Sequence, residues 1–237
     1  DWEEIPPLYT DETGDGGWTG IDLGVIKAAH DADYFYLYFE VGEEISLGSD
    51  QFLALYLDCD DRLTTGYEYR GIGAELQWIF GQRGGKVYRP EGMTPVQYSD
   101  IGFRGGPTVT SDRFEVSFSR HAKVGDAKLL GTGTVAITIA DHTWNGEGVE
   151  DGDAAPLLGT VLRYYLGEEA PPPMEPVPLG RAAGTLLRVV SWNSLYTGLL
   201  DPERAPHFKR ILKAVDPDVV CLQEAWYASQ TAATLDE

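Results

Sequence analysis

Apolar and polar residues alternate through most of the first two-thirds of the chain. In residues 33–41, DYFYLYFEV, Phe35, Leu37, Phe39 and Val41 share one side, and Tyr34, Tyr36, Tyr38 and Glu40 the other. That two-residue period is the mark of a strand with one buried face. Residues 52–58, FLALYLD, form a second run, and in 74–80, AELQWIF, Leu76, Trp78 and Phe80 share a face. GKVYR (85–89), RFEVSFS (113–119) and GTVAITIA (133–140) follow, the last with Val135, Ile137 and Ile139 opposite Thr134, Ala136 and Thr138. Clusters of Gly, Asp, Pro and Thr separate the runs. Short strands with such punctuation predict an antiparallel β-sandwich. Trp78 alternates with core residues and is expected inside, and the Tyr34, Tyr36 and Tyr38 stripe is expected to pack across strands rather than to bind.

The pattern changes after residues 167–180, GEEAPPPMEPVPLG, whose prolines block helix and central strand alike and predict an extended spacer. LLRVVSW (186–192) and PDVVCLQE (217–224) are near-continuous apolar strands. Between them Phe208, Ile211, Leu212 and Val215 recur at helical spacing. Strand, helix, strand predicts the start of an α/β layer with a buried sheet. The fold class expected is mainly β, a sandwich in 1–166, a linker in 167–184, and first β-α-β elements in 185–237. So few elements cannot bury a core alone. The last segment is therefore expected to be ordered by the sandwich, a second copy (an oligomer) or the rest of a domain. Leu187, Val189, Val219, Val220 and Leu222 are the expected buried contacts, under Phe208, Ile211 and Leu212.

Charge narrows the functions. Of a net −20 over 237 residues, residues 1–184 carry −18 and residues 185–237 carry −2. The acidic part would repel a phosphate backbone, which argues against nucleic-acid binding there and suits divalent cations. Two cysteines, Cys59 and Cys221, exclude a disulfide framework, and Cys221 reads as a small core residue. No apolar run approaches the roughly 20 residues of a membrane span. The chain opens at Asp1 without Met, so a removed leader and a secreted or periplasmic location are expected.

Two stretches carry chemistry. At the C-terminal end, Asn193 closes one apolar strand and Glu224 the other, 31 residues apart. Polar groups at strand ends point into the crevice where layered α/β folds do chemistry, and an amide oxygen beside a carboxylate suits Mg²⁺. LRVVSWN followed by ILKAVDPDVVCLQE resembles the opening of the endonuclease/exonuclease/phosphatase family, a four-layer α/β sandwich of metal-dependent phosphoesterases. The resemblance covers roughly the last fifty residues and takes in Asp216, Pro217 and Asp218. It implies that Asn193 and Glu224 belong to a catalytic Mg²⁺ or Mn²⁺ site acting on a phosphoester substrate. The family's later groups, an Asp and Asn in mid-domain and a late Asp-His pair, are not in this sequence. His207 cannot replace the late His, so the chain alone is expected to be inactive.

In LYLDCDDRLTTGYEYRGIGAELQW (55–78), Asp58, Asp60 and Asp61 crowd a strand end and Glu75 opens the next strand. Crowded carboxylates repel unless a cation or full solvation relieves them. A solvated acidic hairpin is the competing reading. The loop is no EF-hand, since Arg62 and Leu63 stand where a ligand and a glycine are required. Leu-Asp-x-Asp-Asp-x-x-x-Thr-Gly after an aromatic strand resembles the family 9 carbohydrate-binding modules and related DOMON-like sandwiches, over nearly all of 1–166. That resemblance implies a Ca²⁺ held by Asp58, Asp60, Asp61 and Glu75, and a glycan partner. Trp144 in DHTWNGEG and Trp18 in GGWTG are the loop aromatics expected to meet it. The two expectations for function are a metal-dependent phosphoesterase bearing a β-sandwich module, and a non-catalytic calcium- and carbohydrate-binding module.

Overall fold

The computed structural model describes residues 2–16, 21–48, 52–142, 152–168, 179–194 and 204–224. Contacts divide the chain into two compact units, Asp1–Pro173 and Met174–Glu237.

The first unit is all but wholly β. Its strands begin with β1 (Tyr9–Thr10), β2 (Val25–His30), β3 (Tyr34–Ile45), β4 (Leu53–Asp58), β5 (Tyr67–Tyr69), β6 (Ile72–Ala74), β7 (Leu76–Ile79), β8 (Gly84–Arg89) and β9 (Gly92–Val96). After a short helix, α1 (Tyr98–Ile101), come β10 (Arg104–Gly106), β11 (Ser111–Ser119), β12 (Lys123–Val124), β13 (Ala127–Lys128), β14 (Gly133–Asp141), β15 (Ala154–Ala155) and β16 (Leu162–Leu166). One sheet has the order β1-β2-β3-β11-β10. The other has the order β15-β14-β4-β7-β8-β9, with β16 also on β14. Every pairing in both is antiparallel.

Side chains from both sheets meet in one core, which is what makes this a sandwich. Phe35, Leu37, Phe39 and Val41 of β3 face Leu55, Leu57, Leu76, Trp78 and Ile137 across it, all without exposure. The alternation seen in the sequence therefore picks the inward faces correctly, Trp78 included. The tyrosines on the other side of β3 are half-buried: Tyr36 donates to Asp31 (2.8 Å), Tyr38 donates to Glu40 (2.7 Å), and across the strand pair Lys27 of β2 sits over the Tyr38 ring. On β4 the outward residues are buried too. The hairpin β5–β6 folds over them, and Ala54, Tyr56, Ile72, Ala74 and Ala136 form a small second core. Tight turns at Arg70 and Gly71, both at positive φ, make that hairpin close.

The second unit holds β17 (Val189–Asn193), α2 (Ala205–Val215) and β18 (Val219–Gln223). The two strands are parallel, with Val189 opposite Val219 and Asn193 opposite Gln223. The predicted order of elements is present, but the predicted burial is not. Leu187 is 58% exposed, Val189 53%, Val219 42%, Val220 38% and Ile211 41%. Cys221 is exposed and free, not a core residue, and Cys59 is free as well. The cause is that cover is missing among the described residues. A parallel sheet needs packing on both faces, and here one helix touches it chiefly through Phe208, 4.4 Å from Trp192. Among the described residues Phe208 is this unit's one buried hydrophobic side chain. No described helix is long and apolar enough to cross a membrane.

Candidate functional site

Register places the site. Thr138, Tyr56 and Gln77 lie opposite one another across β14, β4 and β7, and Gln77 lies opposite Lys86 on β8. Cross-strand partners share a face, so these residues form a row on the outer face of the sheet. Two residues along each strand, on the same face, come Asp58 from β4 and Glu75 just before β7. The acidic cluster and the polar row are thus neighbours on one surface.

Asp58 and Glu75 organise the loop between β4 and β5. The Asp58 carboxylate accepts the N–H of Asp60 (3.3 Å), Arg62 (3.1 Å) and Gly73 (2.9 Å). Glu75 Oε2 accepts the Cys59 N–H at 2.6 Å. Gly73 has no room for a side chain: a Cβ would stand 2.3 Å from the Arg62 carbonyl oxygen. Oxygens of Asp58, Asp60 and Glu75 lie within 4.8 Å of one another. Asp58 and Glu75 are both 2% exposed, and Glu75 Oε1 accepts no hydrogen bond. The nearby Thr65 hydroxyl is turned to Asp60 and the Arg62 carbonyl, both at 2.9 Å. Burial pushes the Glu75 carboxyl up, the Cys59 N–H and Thr65 oppose that, and Asp60 and Asp58 add to it. A buried carboxylate oxygen with no donor, among other carboxylates, fits a hard cation with oxygen ligands. Asp61 does not belong to the group. It takes a left-handed φ of 52°, which turns it away to Arg163 at 2.8 Å. Three of the four expected carboxylates are brought together.

The row beside the cluster is aromatic and hydrogen-bonded. Gln77 Nε2 donates to the Tyr56 hydroxyl and Tyr88 donates to Gln77 Oε1, both at 2.9 Å. The Tyr56 hydroxyl also meets His142 Nε2 at 2.7 Å. Tyr69 stacks on Tyr56 with ring centres 4.2 Å apart, and Tyr67 stacks on Tyr88 at 5.2 Å. Tyr67 is 44% exposed. The loop held by Asp58 and Glu75 leads into the strand bearing Tyr67 and Tyr69, so carboxylates and rings are mechanically linked. Sequence reading missed these tyrosines. The only linear signal was their spacing around the acidic turn. Trp144 and Trp18 lie outside the described residues; His142 is two residues from Trp144 in the chain.

In the second unit, the parallel pairing puts Asn193 and Glu224 at the same ends of adjacent strands, and the Ser194 N–H donates to the Gln223 carbonyl at 3.0 Å. Both residues are exposed, and Glu224 has a φ of 58°. Asp218 is occupied structurally. It accepts two hydrogen bonds from Arg181, at 2.9 and 2.8 Å, and one from the Arg188 N–H at 2.8 Å. The Arg181 guanidinium holds its carboxyl below the usual range.

No family model matches this sequence, and neither does any curated protein. Among solved structures, a carbohydrate-binding module of family 9 from Caldicellulosiruptor kristjanssonii, in complex with glucose, is similar over 67% of this chain and 71% of that one, at 11% identity and a TM-score of 0.30. The sandwich assignment stands on the strand pairings and the shared core.

Proposed function

We propose that the first unit is a non-catalytic carbohydrate-binding module. Its binding face is formed by Tyr67, Tyr69, Gln77, Tyr88 and His142 over the buried Tyr56, and Ca²⁺ held by Asp58, Asp60 and Glu75 fixes the loop beneath Tyr67. The observation that carries this is the continuity of cluster and row on one sheet face. Sugars are met by aromatic rings flanked by amide, hydroxyl and imidazole groups, and this row supplies all of them. Ca²⁺ accepts irregular sets of six to eight oxygens, with water and carbonyls filling what carboxylates do not, while Mg²⁺ demands a tight octahedron. Weak calcium affinity would suffice outside the cytoplasm, which fits a secreted or periplasmic protein. The test is calorimetric titration with a panel of soluble oligo- and polysaccharides, in calcium and in chelator. Binding should weaken about tenfold, roughly 1.4 kcal/mol, in Tyr67→Ala, and also in Gln77→Ala and in chelator. A panel with no binder, or a binder indifferent to both substitutions, sinks the reading.

The parallel pairing of β17 and β18 favours a second reading for the other unit. Residues 185–237, after a linker at 167–184, would open a phosphoesterase domain of the endonuclease/exonuclease/phosphatase kind in a longer parent. Glu224, with Asn193, would then hold Mg²⁺ or Mn²⁺, which supplies charge stabilisation at the phosphorus. Glu224→Gln in the whole encoded protein should abolish phosphoester hydrolysis; unchanged turnover would refute the assignment.

A further inference from the structure

A second group of carboxylates sits at the other end of β4 from Asp58, about 17 Å away at strand rise. The Asp141 N–H, opposite Leu53, donates to the Asp153 carbonyl at 2.8 Å. The Asp153 side chain in turn accepts the Leu23 N–H, joining positions 130 residues apart. Asp22 accepts the Gly14 N–H on both oxygens at 2.9 Å, which brings these two positions together. Oxygens of Asp15, Asp22 and Asp153 thereby come within 4.8 Å of one another.

Behind them stands Asp11, 5% exposed, with neither carboxylate oxygen hydrogen-bonded. Burial first, then repulsion from Asp153 and Asp15, push its carboxyl up to about 6 against the pull of the nearby Glu12 N–H and Tyr9 hydroxyl, neither of which reaches it in hydrogen-bond geometry. Asp153, 4% exposed, is raised by burial first, against the Leu23 and Ala154 N–H groups. Among the described residues no Lys, Arg or His is ion-paired with any of the four. Four carboxylates with two of them buried need a counter-charge, and the described side chains supply none.

We propose that Asp15, Asp22 and Asp153, backed by Asp11, form a second calcium site that fastens the N-terminal segment after β1 to the chain entering β15. Ca²⁺ accepts irregular sets of six to eight oxygens from carboxylates, carbonyls and water, whereas Mg²⁺ demands a tight octahedron and keeps its waters, so a cluster of carboxylates gathered from distant loops suits the larger ion. This site shares no residue with the Asp58 cluster and does not depend on glycan binding. A cation here ties two segments distant in sequence, so its role is to hold the edge of the sandwich closed.

The test is calorimetric titration of the whole chain with calcium chloride after chelator treatment. Asp15→Asn with Asp22→Asn should bind one equivalent fewer than the native chain, Asp60→Ala should also lose one, and the three combined should lose two. Asp15 is exposed, so Asp15→Asn alone keeps the fold and should weaken the second equivalent at least tenfold. Native stoichiometry and affinity in the Asp15→Asn, Asp22→Asn variant would overturn the proposal. If Asp60→Ala changes nothing while that variant loses one ion, the second site stands and the first cluster is the solvated hairpin.

Discussion

The two units contain strands of similar apolar content and meet opposite fates. In β3 four apolar side chains are wholly enclosed, whereas in β17 and β18 the valines at 189, 219 and 220 remain more than a third exposed. The difference is architecture. Each sandwich sheet lends the other a cover, so alternation of period two is enough to bury a face. The parallel pair needs a layer on each side, and α2 offers mainly Phe208. Polar clamps do more of the holding in the second unit: Arg181 to Asp218 and to the Asp216 carbonyl, and Arg188 to Asp218 and to the Leu179 carbonyl at 2.8 Å. Apolar sequence alone states a demand for cover; it does not supply one.

The sharpest way to break that contrast is a pair of truncations. Phe118→Ala, in the sandwich core, should cost about 3–5 kcal/mol, and Val219→Ala should leave the sandwich transition within about 0.5 kcal/mol. Urea unfolding followed by tryptophan fluorescence reads both. Equal costs would mean that the two units share a core. Calcium comes next. At about 100 times Kd, one site should stabilise the sandwich by about 2.7 kcal/mol, raising its melting temperature and leaving the helix signal of the second unit unmoved. Asp60→Ala should remove that site's share; a shift in both units alike would contradict the separation.

A smaller effect is expected from His30 at the end of β2. Its Nδ1 meets the Tyr164 hydroxyl at 2.8 Å, and its Nε2 is buried without a partner. Burial, and then Arg120, lower its affinity for a proton, against the pull of Asp31. The folded state therefore resists protonation that the unfolded chain accepts near pH 6.5. Its contribution is fully present above that pH and is lost as pH falls towards the lower folded value. Urea midpoints at pH 7 and pH 5.5 should show a shallower acid loss in His30→Gln than in the native chain; parallel slopes would remove His30 as the cause. The smallest effect belongs to the surface pair Arg163–Asp61, with side chains 51% and 30% exposed. Arg163→Ala should cost no more than about 0.5 kcal/mol and vanish into noise in high salt.

What was legible in the sequence follows the same division. Strong alternation marked β3, β7 and β14, short strand-like runs marked β4, β8 and β11, and helical spacing marked α2. β2 escaped because Ala28 and Ala29 blur the inside-outside contrast, and because Lys27 and His30 read as solvent positions. Lys27 in fact reaches the Trp2 carbonyl at 2.7 Å. β9 escaped because Pro95 argues against a strand, which holds for a central strand but not for the edge it occupies. Asp58, Asp60 and Glu75 were readable because they border strands that pair. Asp61 was misplaced because a left-handed residue redirects its side chain, a turn no spacing rule records. The tyrosine row needed the register of several strands, and the Asp11 group needed a contact across 130 residues, so neither was available from linear pattern.

Pro95 has a consequence beyond its own strand. It removes a donor from the rim of one sheet, while the rim strands of the other, β1 and β10, run to only two and three residues. A neighbouring molecule finds little ladder there to extend. In the second unit, β17 and β18 pair with each other alone among the described residues, beside exposed valines. Heated or concentrated solutions should therefore clump through residues 189–223, with the sandwiches still folded inside the precipitate.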